Sequence, residues 1–281
     1  MKAWVTGSGG LIGNYLVQTA PQYAPGWEVC GLTRGRLDLT DFAAVARAFR
    51  ADAPSLVIHC AALSKSPACQ ADPALARLLN VEVTTCLTQL AADIPFIFFS
   101  TDLIFDGRKG NYTETDAPNP LSVYAETKVA AEAVVLGNPR HAVVRTSLNG
   151  GVSPTGDRGF NEEMRRMFRA GQVLNLFTDE FRSPLPALVT ARAVWELSAQ
   201  KVSGIYHVAG REKMSRWEIG QLVAARCPEL QPQLRAGSLK EYRGAPRAPD
   251  TTLDCAKAWR RLSFPLPGLA EWLTEHPDAA L

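Results

Sequence analysis

The chain has 281 residues, 46% of them hydrophobic and 21% charged. That balance supplies a sizeable core and excludes disorder as the dominant state, and the length suggests about two domains, or one large α/β domain with an appendage. Thirty Lys and Arg against 28 Asp and Glu leave a net charge of +2 with no basic run, which argues against a polyanion- or membrane-surface-binding role.

In chain order, residues 3–6 form a short apolar run bounded by glycines, and residues 11–20 read as a helix opening on glycines 9 to 13. Residues 28–33 predict a second strand. Residues 41–51 predict a helix, with Phe42, Val45, Ala46 and Phe49 at three- and four-residue spacing and Thr40 or Asp41 as its cap. Residues 55–60 and 95–100 are β-branched or aromatic strand candidates, separated by a long amphipathic helix over 75–92. Residues 124–136 predict a helix and 142–146 a strand. Strands alternating with helices of this length imply βαβ units and a parallel, doubly wound sheet. Beyond residue 150 the rhythm loosens: helices are predicted over 160–170, 187–200 and 216–226, and a strand over 204–208. The expected architecture is a Rossmann-type sheet carrying nucleotide and catalytic groups over residues 1–150. A smaller α/β substrate-binding part would follow over 151–281.

Six cysteines stand at 30, 60, 69, 86, 227 and 255, with no CxxC pair and no histidine at a metal-ligand spacing. They read as small buried apolar residues in a reducing compartment, and no metal site is expected. The chain opens on a strand-like run without a basic leader, which argues against a signal peptide. No apolar run reaches the ~18 residues of a membrane span. The expectation is a cytoplasmic protein with a small-molecule substrate and neither nucleic acid nor membrane as partner.

The strongest motif is Val5-Thr6-Gly7-Ser8-Gly9-Gly10-Leu11-Ile12-Gly13, which follows a predicted strand and opens a predicted helix. In that context Gly7 permits the turn, Gly10 lets the backbone approach a pyrophosphate, and Gly13 allows close packing of the helix. The helix N-terminus then binds phosphate through free N–H groups, with Ser8, Leu11 and Ile12 beside it. At the end of the second strand an acid would select NAD and an arginine the 2′-phosphate of NADP. The sequence has Thr33-Arg34-Gly35-Arg36, so Arg34 favours NADP(H), while NAD(H) stays open.

Tyr124-Ala125-Glu126-Thr127-Lys128 places a tyrosine and a lysine on one helix face. Carbonyl reduction needs an acid for the developing alkoxide. An ammonium beside the phenol would lower its pKa, and a hydroxyl would polarise the carbonyl. Thr101, at the end of a predicted strand, is the candidate for that hydroxyl.

The Gly-x-x-Gly-x-x-Gly spacing and the Tyr/Lys pair resemble the extended branch of the short-chain dehydrogenase/reductase superfamily. That resemblance implies adenine contacts from Asp38 and Leu39, a dinucleotide-facing turn at Cys60-Ala61-Ala62, and a helix asparagine at Asn80. Further segments resemble the dTDP-4-dehydrorhamnose reductase family over about residues 1–225. They include Ser100-Thr101-Asp102-Leu103-Ile104-Phe105-Asp106-Gly107, Pro120-Leu121-Ser122-Val123-Tyr124, Val144-Arg145-Thr146-Ser147 and Asp179-Glu180-Phe181-Arg182-Ser183-Pro184. The resemblance implies reduction of the 4-keto group of a nucleotide-linked deoxysugar. Tyr124 would be the acid and also contact the cofactor, Lys128 the ribose holder and phenol tuner, and Thr101 the carbonyl partner, with Ser64, Thr101, Asp102, Leu103 and Leu148 lining the substrate pocket. Homodimers are common in the superfamily.

Three positions depart from the family pattern. Leu103 and Leu148 stand where aromatics are usual, and Ser64-Lys65-Ser66-Pro67-Ala68-Cys69-Gln70 replaces an acidic segment. The changed wall keeps other readings open. One is a non-catalytic dinucleotide-binding regulatory subunit. Others are a sugar-nucleotide epimerase or dehydratase, or a reductase of small carbonyls.

Overall fold

The computed structural model describes residues 1–279. The first half runs β1 (Lys2–Thr6), α1 (Leu11–Tyr23), β2 (Glu28–Leu32), α2 (Phe42–Asp52), β3 (Leu56–His59), α3 (Ser66–Ala71), α4 (Pro73–Arg77), α5 (Val83–Leu90), β4 (Phe96–Thr101), α6 (Val123–Leu136) and β5 (His141–Thr146). The second half adds β6 (Asn149–Gly150), α7 (Phe160–Arg169), β7 (Val173–Phe177), β8 (Phe181–Arg182), β9 (Leu185–Pro186), α8 (Ala187–Ala199), β10 (Gly204–His207), β11 (Met214–Ser215), α9 (Arg216–Ala225), β12 (Gln233–Gly237), α10 (Ala256–Trp259) and α11 (Leu269–Glu275).

Six strands form one parallel sheet in the order β10-β5-β4-β3-β1-β2. Its residues alternate between two buried faces. Ala3 and Val5 of β1 join one core cluster, and Trp4 joins the other. A strand covered on both sides must be apolar throughout, which explains the Phe96-Ile97-Phe98-Phe99 run at the centre. Helices α2, α5 and α6 pack on one face through Val45, Leu87, Ala131 and Val135. Helices α1 and α8 cover the other, where Trp195 Nε1 donates to the Leu16 carbonyl at 3.0 Å. Both α8 and β10 lie beyond residue 150 and are built into this layer. A smaller layer pairs β7 in parallel with β12 beneath α7 and α9.

The helix predicted over 75–92 is α4 and α5 joined by a π-helical turn at Leu78–Glu82. Such a turn widens the backbone locally, and here it carries the buried Asn80. The two-residue strands β6, β8, β9 and β11 are too short to leave a periodic signal, and the sequence reading missed them.

Candidate active site

The site lies where the strand order reverses, between β1 and β3, which is the usual ligand position in an open parallel sheet. Gly7 leaves β1 with φ +68°, a left-handed conformation that favours glycine. A methyl group there would come within 2.6 Å of the Ala61 nitrogen, so the glycine turn is pressed against the Cys60–Ala61 backbone. A side chain on Gly13 would run into the Gly7 carbonyl. Helix α1 therefore starts directly on the turn. Its N-terminus has no side-chain cap and no acid in its first turn, which leaves its N–H groups for an anion. This cradle fits a dinucleotide pyrophosphate.

A buried polar chain ties the cradle to α6, the helix that carries Tyr124 and Lys128. The Ala61 N–H donates to Thr6 Oγ1 at 3.3 Å, and Thr6 Oγ1 lies 2.6 Å from His59 Nδ1. His59 Nε2 lies 3.1 Å from Thr84 Oγ1, whose proton goes to the Asn80 carbonyl. Thr84 thus accepts from Nε2–H, and Nδ1 accepts from Thr6, which fixes the tautomer. Asn80 clasps Leu63 through both backbone groups and donates to Thr127 Oγ1 at 2.9 Å. Thr127 in turn donates to the Tyr124 carbonyl.

Burial, helped by the Lys128 charge, lowers His59 to about 3, and burial with Arg145 lowers His207 to about 4. Both folded values lie below the ordinary 6.5. Their contribution to stability is therefore full above pH 6.5 and is lost as the pH falls toward the folded values. Urea unfolding between pH 6 and 5 should show stability falling by about 1.4 kcal/mol per pH unit for each of the two histidines. A flat profile over that interval would mean that they are not held neutral.

Strand β4 ends at Thr101, and α6, capped by Ser122 accepting from the Ala125 N–H, presents Tyr124 and Lys128 toward it. The Thr101 hydroxyl lies near enough to Tyr124 to act on its phenol, while its own proton goes to Asp102 Oδ1 at 3.2 Å. All three side chains are buried. Burial raises the Tyr124 phenol above its ordinary value, and the neighbouring Thr101 hydroxyl only partly offsets this. The expected lowering of the phenol by Lys128 is not found. The lysine ammonium is turned toward the Phe98 ring, 3.8 Å from its centroid. Burial lowers Lys128 to about 7, against the pull of Glu132 and Cys60.

The structure places the other candidate residues unevenly. Leu103 packs with Leu63, Cys69 and Tyr124 in one small cluster, so one changed wall position adjoins the phenol. Leu148 is partly buried on a different cluster, and Ser64 is exposed. Asp102 is buried with its carboxylate engaged. Oδ2 accepts from Ser147 at 2.7 Å and Thr251 at 2.8 Å, Oδ1 accepts from Thr101 at 3.2 Å, and Arg182 lies 3.8 Å away. Arg34 is exposed beyond β2, and Asp38 stands 4.0 Å from it. The turn after β2 brings this i+4 acid alongside the guanidinium. Asp38 also accepts from the Thr40 N–H and hydroxyl, which together with Arg34 hold its carboxyl low. Asp41 caps α2 by accepting from the Ala44 N–H.

A family model described as the RmlD substrate binding domain matches residues 1–279. The chain belongs to the RmlD substrate-binding domain family. Relatives include the dTDP-4-dehydrorhamnose reductase of Sinorhizobium fredii, 30% identical over 96% of this chain and 95% of that one. Methionine adenosyltransferase 2 subunit beta of Xenopus laevis is also 30% identical, over 91% of this chain and 81% of its own length. A solved structure described as a hypothetical dTDP-4-dehydrorhamnose reductase from Sulfolobus tokodaii superposes with a TM-score of 0.83. It is 28% identical and covers 96% of this chain and 97% of that one.

The RmlD match extends past residue 225, where the resemblance read from the sequence stopped. The geometry shows what that C-terminal segment contributes. Thr251 reaches Asp102, and Arg247 holds Glu180 through two hydrogen bonds of 2.7 and 2.9 Å. Gly107 abuts the Ala248–Pro249 backbone so closely that a side chain would clash. Sequence reasoning missed these residues. The signal available was the Asp250-x-Thr252 pattern, whose aspartate accepts from the Thr252 N–H and hydroxyl as a local turn.

Proposed function

We propose that the chain is an NADP(H)-dependent reductase of a keto group, specifically the 4-keto group of a nucleotide-linked deoxysugar. The observation that carries this reading is the buried cluster of Thr101, Tyr124 and Lys128, the last two one helical turn apart, beside the glycine cradle. The Sinorhizobium fredii relative, matched over nearly its full length, supports the substrate class.

The nicotinamide, when bound, supplies hydride to the carbonyl carbon. Thr101 Oγ1–H and Tyr124 Oη–H donate to the carbonyl oxygen. As charge develops there, the Tyr124 proton passes to it, giving the alcohol, and the phenolate regains a proton from solvent. A raised phenol pKa ensures that the acid arrives protonated. Lys128 holds the ribose hydroxyls. Gly7, Ser8, Gly10, Leu11, Ile12 and Gly13 cradle the pyrophosphate, Cys60, Ala61 and Ala62 support the dinucleotide, and Asp38 and Leu39 flank the adenine. Residues 151–281 would cover the substrate, with Ser64, Thr101, Asp102, Leu103 and Leu148 as its wall.

Arg34 carries the NADP preference: its exposed guanidinium is free to turn from Asp38 to a 2′-phosphate. Arg34→Ala should weaken NADPH binding about 10- to 100-fold and leave NADH binding nearly unchanged, as read by calorimetry. Equal losses for both cofactors would remove Arg34 from that role. We also propose a cytoplasmic enzyme, homodimeric by analogy with its superfamily, without a nucleic-acid partner. The six free cysteines and near-neutral charge support this.

A second reading is favoured by one observation, the similarity to a subunit of methionine adenosyltransferase. On it the chain binds dinucleotide without turnover and regulates a partner. A thermal-shift panel with NADPH, NADH and dTDP separates the two. The reductase reading expects stabilisation by NADPH and further stabilisation by dTDP, whereas a response to dinucleotide alone favours the regulatory one.

A further inference from the structure

Lys128 is held in an unusual way for a buried ammonium. The nearest acid on its own helix is Glu132, one turn on. Both Glu132 oxygens are already engaged by Arg145: Nε donates to Oε1 at 3.0 Å and Nη2 to Oε2 at 2.7 Å. Arg145 and Glu132 are each almost fully buried, so that carboxylate is already paired and reaches the ammonium only through its charge. From β3 and the residue that follows it, the groups facing Lys128 are His59 and Cys60. Burial raises the Cys60 thiol and keeps it uncharged, while His59 is neutral and its ring lies 5.8 Å from Phe98. Tyr124, on the same helix, is protonated. From β4, what meets the ammonium is the face of Phe98, 3.8 Å from Nζ and itself buried.

We propose that Phe98 is the positioning residue of Lys128, its ring face holding the ammonium in the cleft where a carboxylate would otherwise be needed. A ring face attracts a cation without forming a hydrogen bond, and the attraction strengthens when both are desolvated. The three ammonium protons stay available for hydroxyl groups, and no ion pair has to break when a ribose arrives. A carboxylate in the same place would compete for those protons. The role of Lys128 toward a ribose rests on the reductase reading above; the contact between ammonium and ring does not.

The sign follows from the contact. A ring that favours the cation raises the Lys128 pKa against burial, so weakening the ring should lower it. Site-specific replacement of Phe98 by phenylalanines with increasing fluorine substitution preserves shape while emptying the ring face. Lys128 is then titrated by NMR on protein labelled at the lysine ε-carbon, its signal assigned by its loss in Lys128→Met. The Lys128 titration should move acidward stepwise with fluorine number, by about one pH unit over the series. Phe98→Tyr, which keeps the face, should restore the parent value. Thermal unfolding of each protein checks that the fold is kept. A titration that does not follow fluorine number overturns the proposal.

The NMR readout needs no substrate. Absence of turnover with a normal fluorine trend would therefore sink the reductase reading and leave the Phe98 contact standing. Where turnover is present, the alkaline limb of the rate profile should move with the titration.

Discussion

Tyr124→Phe, which removes one buried oxygen, should lower the rate of keto reduction about 10²- to 10⁴-fold. Only Thr101 would then stabilise the developing alkoxide, and no nearby group would deliver its proton. Asp102 cannot substitute, because its carboxylate is held by Ser147, Thr251 and Arg182. The cradle does not use the phenol oxygen, so NADPH affinity should change by less than about twofold. Stopped-flow measurement of NADPH consumption beside calorimetric binding tests both halves. A variant that keeps near-parental turnover would displace Tyr124 from the role of acid. Equal loss of binding and rate would point instead to a disturbed fold.

The largest stability effect is expected at the ion pair beneath Lys128. Glu132 and Arg145 are 4% and 2% exposed in their side chains, and Arg145 also packs over Phe105 at 5.3 Å. Removing one member leaves an uncompensated buried charge, so Glu132→Ala should cost about 3–5 kcal/mol. Removing both with apolar residues of similar volume should cost far less. Glu132→Leu combined with Arg145→Met should therefore be more stable than Glu132→Ala by urea denaturation. If the single and double variants lose the same amount, the pair is not the buried ionic unit described. With the double variant folded, the Lys128 titration reads how much of the pull on the ammonium comes from Glu132.

Much of the fold was legible from period and punctuation. Five alternating strands and the helices between them follow from apolar runs and three-to-four spacing, and the glycine turn marks where the order reverses. What was not legible has physical causes. The π-helical turn at Asn80 has no composition signal; it is fixed by tertiary bonds to Leu63 and Thr127. The pairings of β6, β8, β9 and β11 involve two residues per strand, too few to create alternation. Thr101, Tyr124 and Lys128 could be placed together from the sequence because a helix face and a strand end fix their geometry locally. Their electrostatics could not be read there, because burial depends on elements far along the chain. That burial reverses the expected shift of Tyr124 and aims Lys128 at Phe98. The coupling of Asp102 to Thr251 spans 149 residues and could be found only in space.

The central claim is that this site transfers hydride to a 4-keto nucleotide sugar, with Tyr124 as the acid. It is tested most directly by incubating the protein with NADPH and dTDP-4-dehydrorhamnose while following cofactor loss and product together. The account predicts one 4-hydroxy sugar formed per NADPH consumed, at a rate that collapses in Tyr124→Phe. No product from fully folded protein that binds NADPH normally would contradict it.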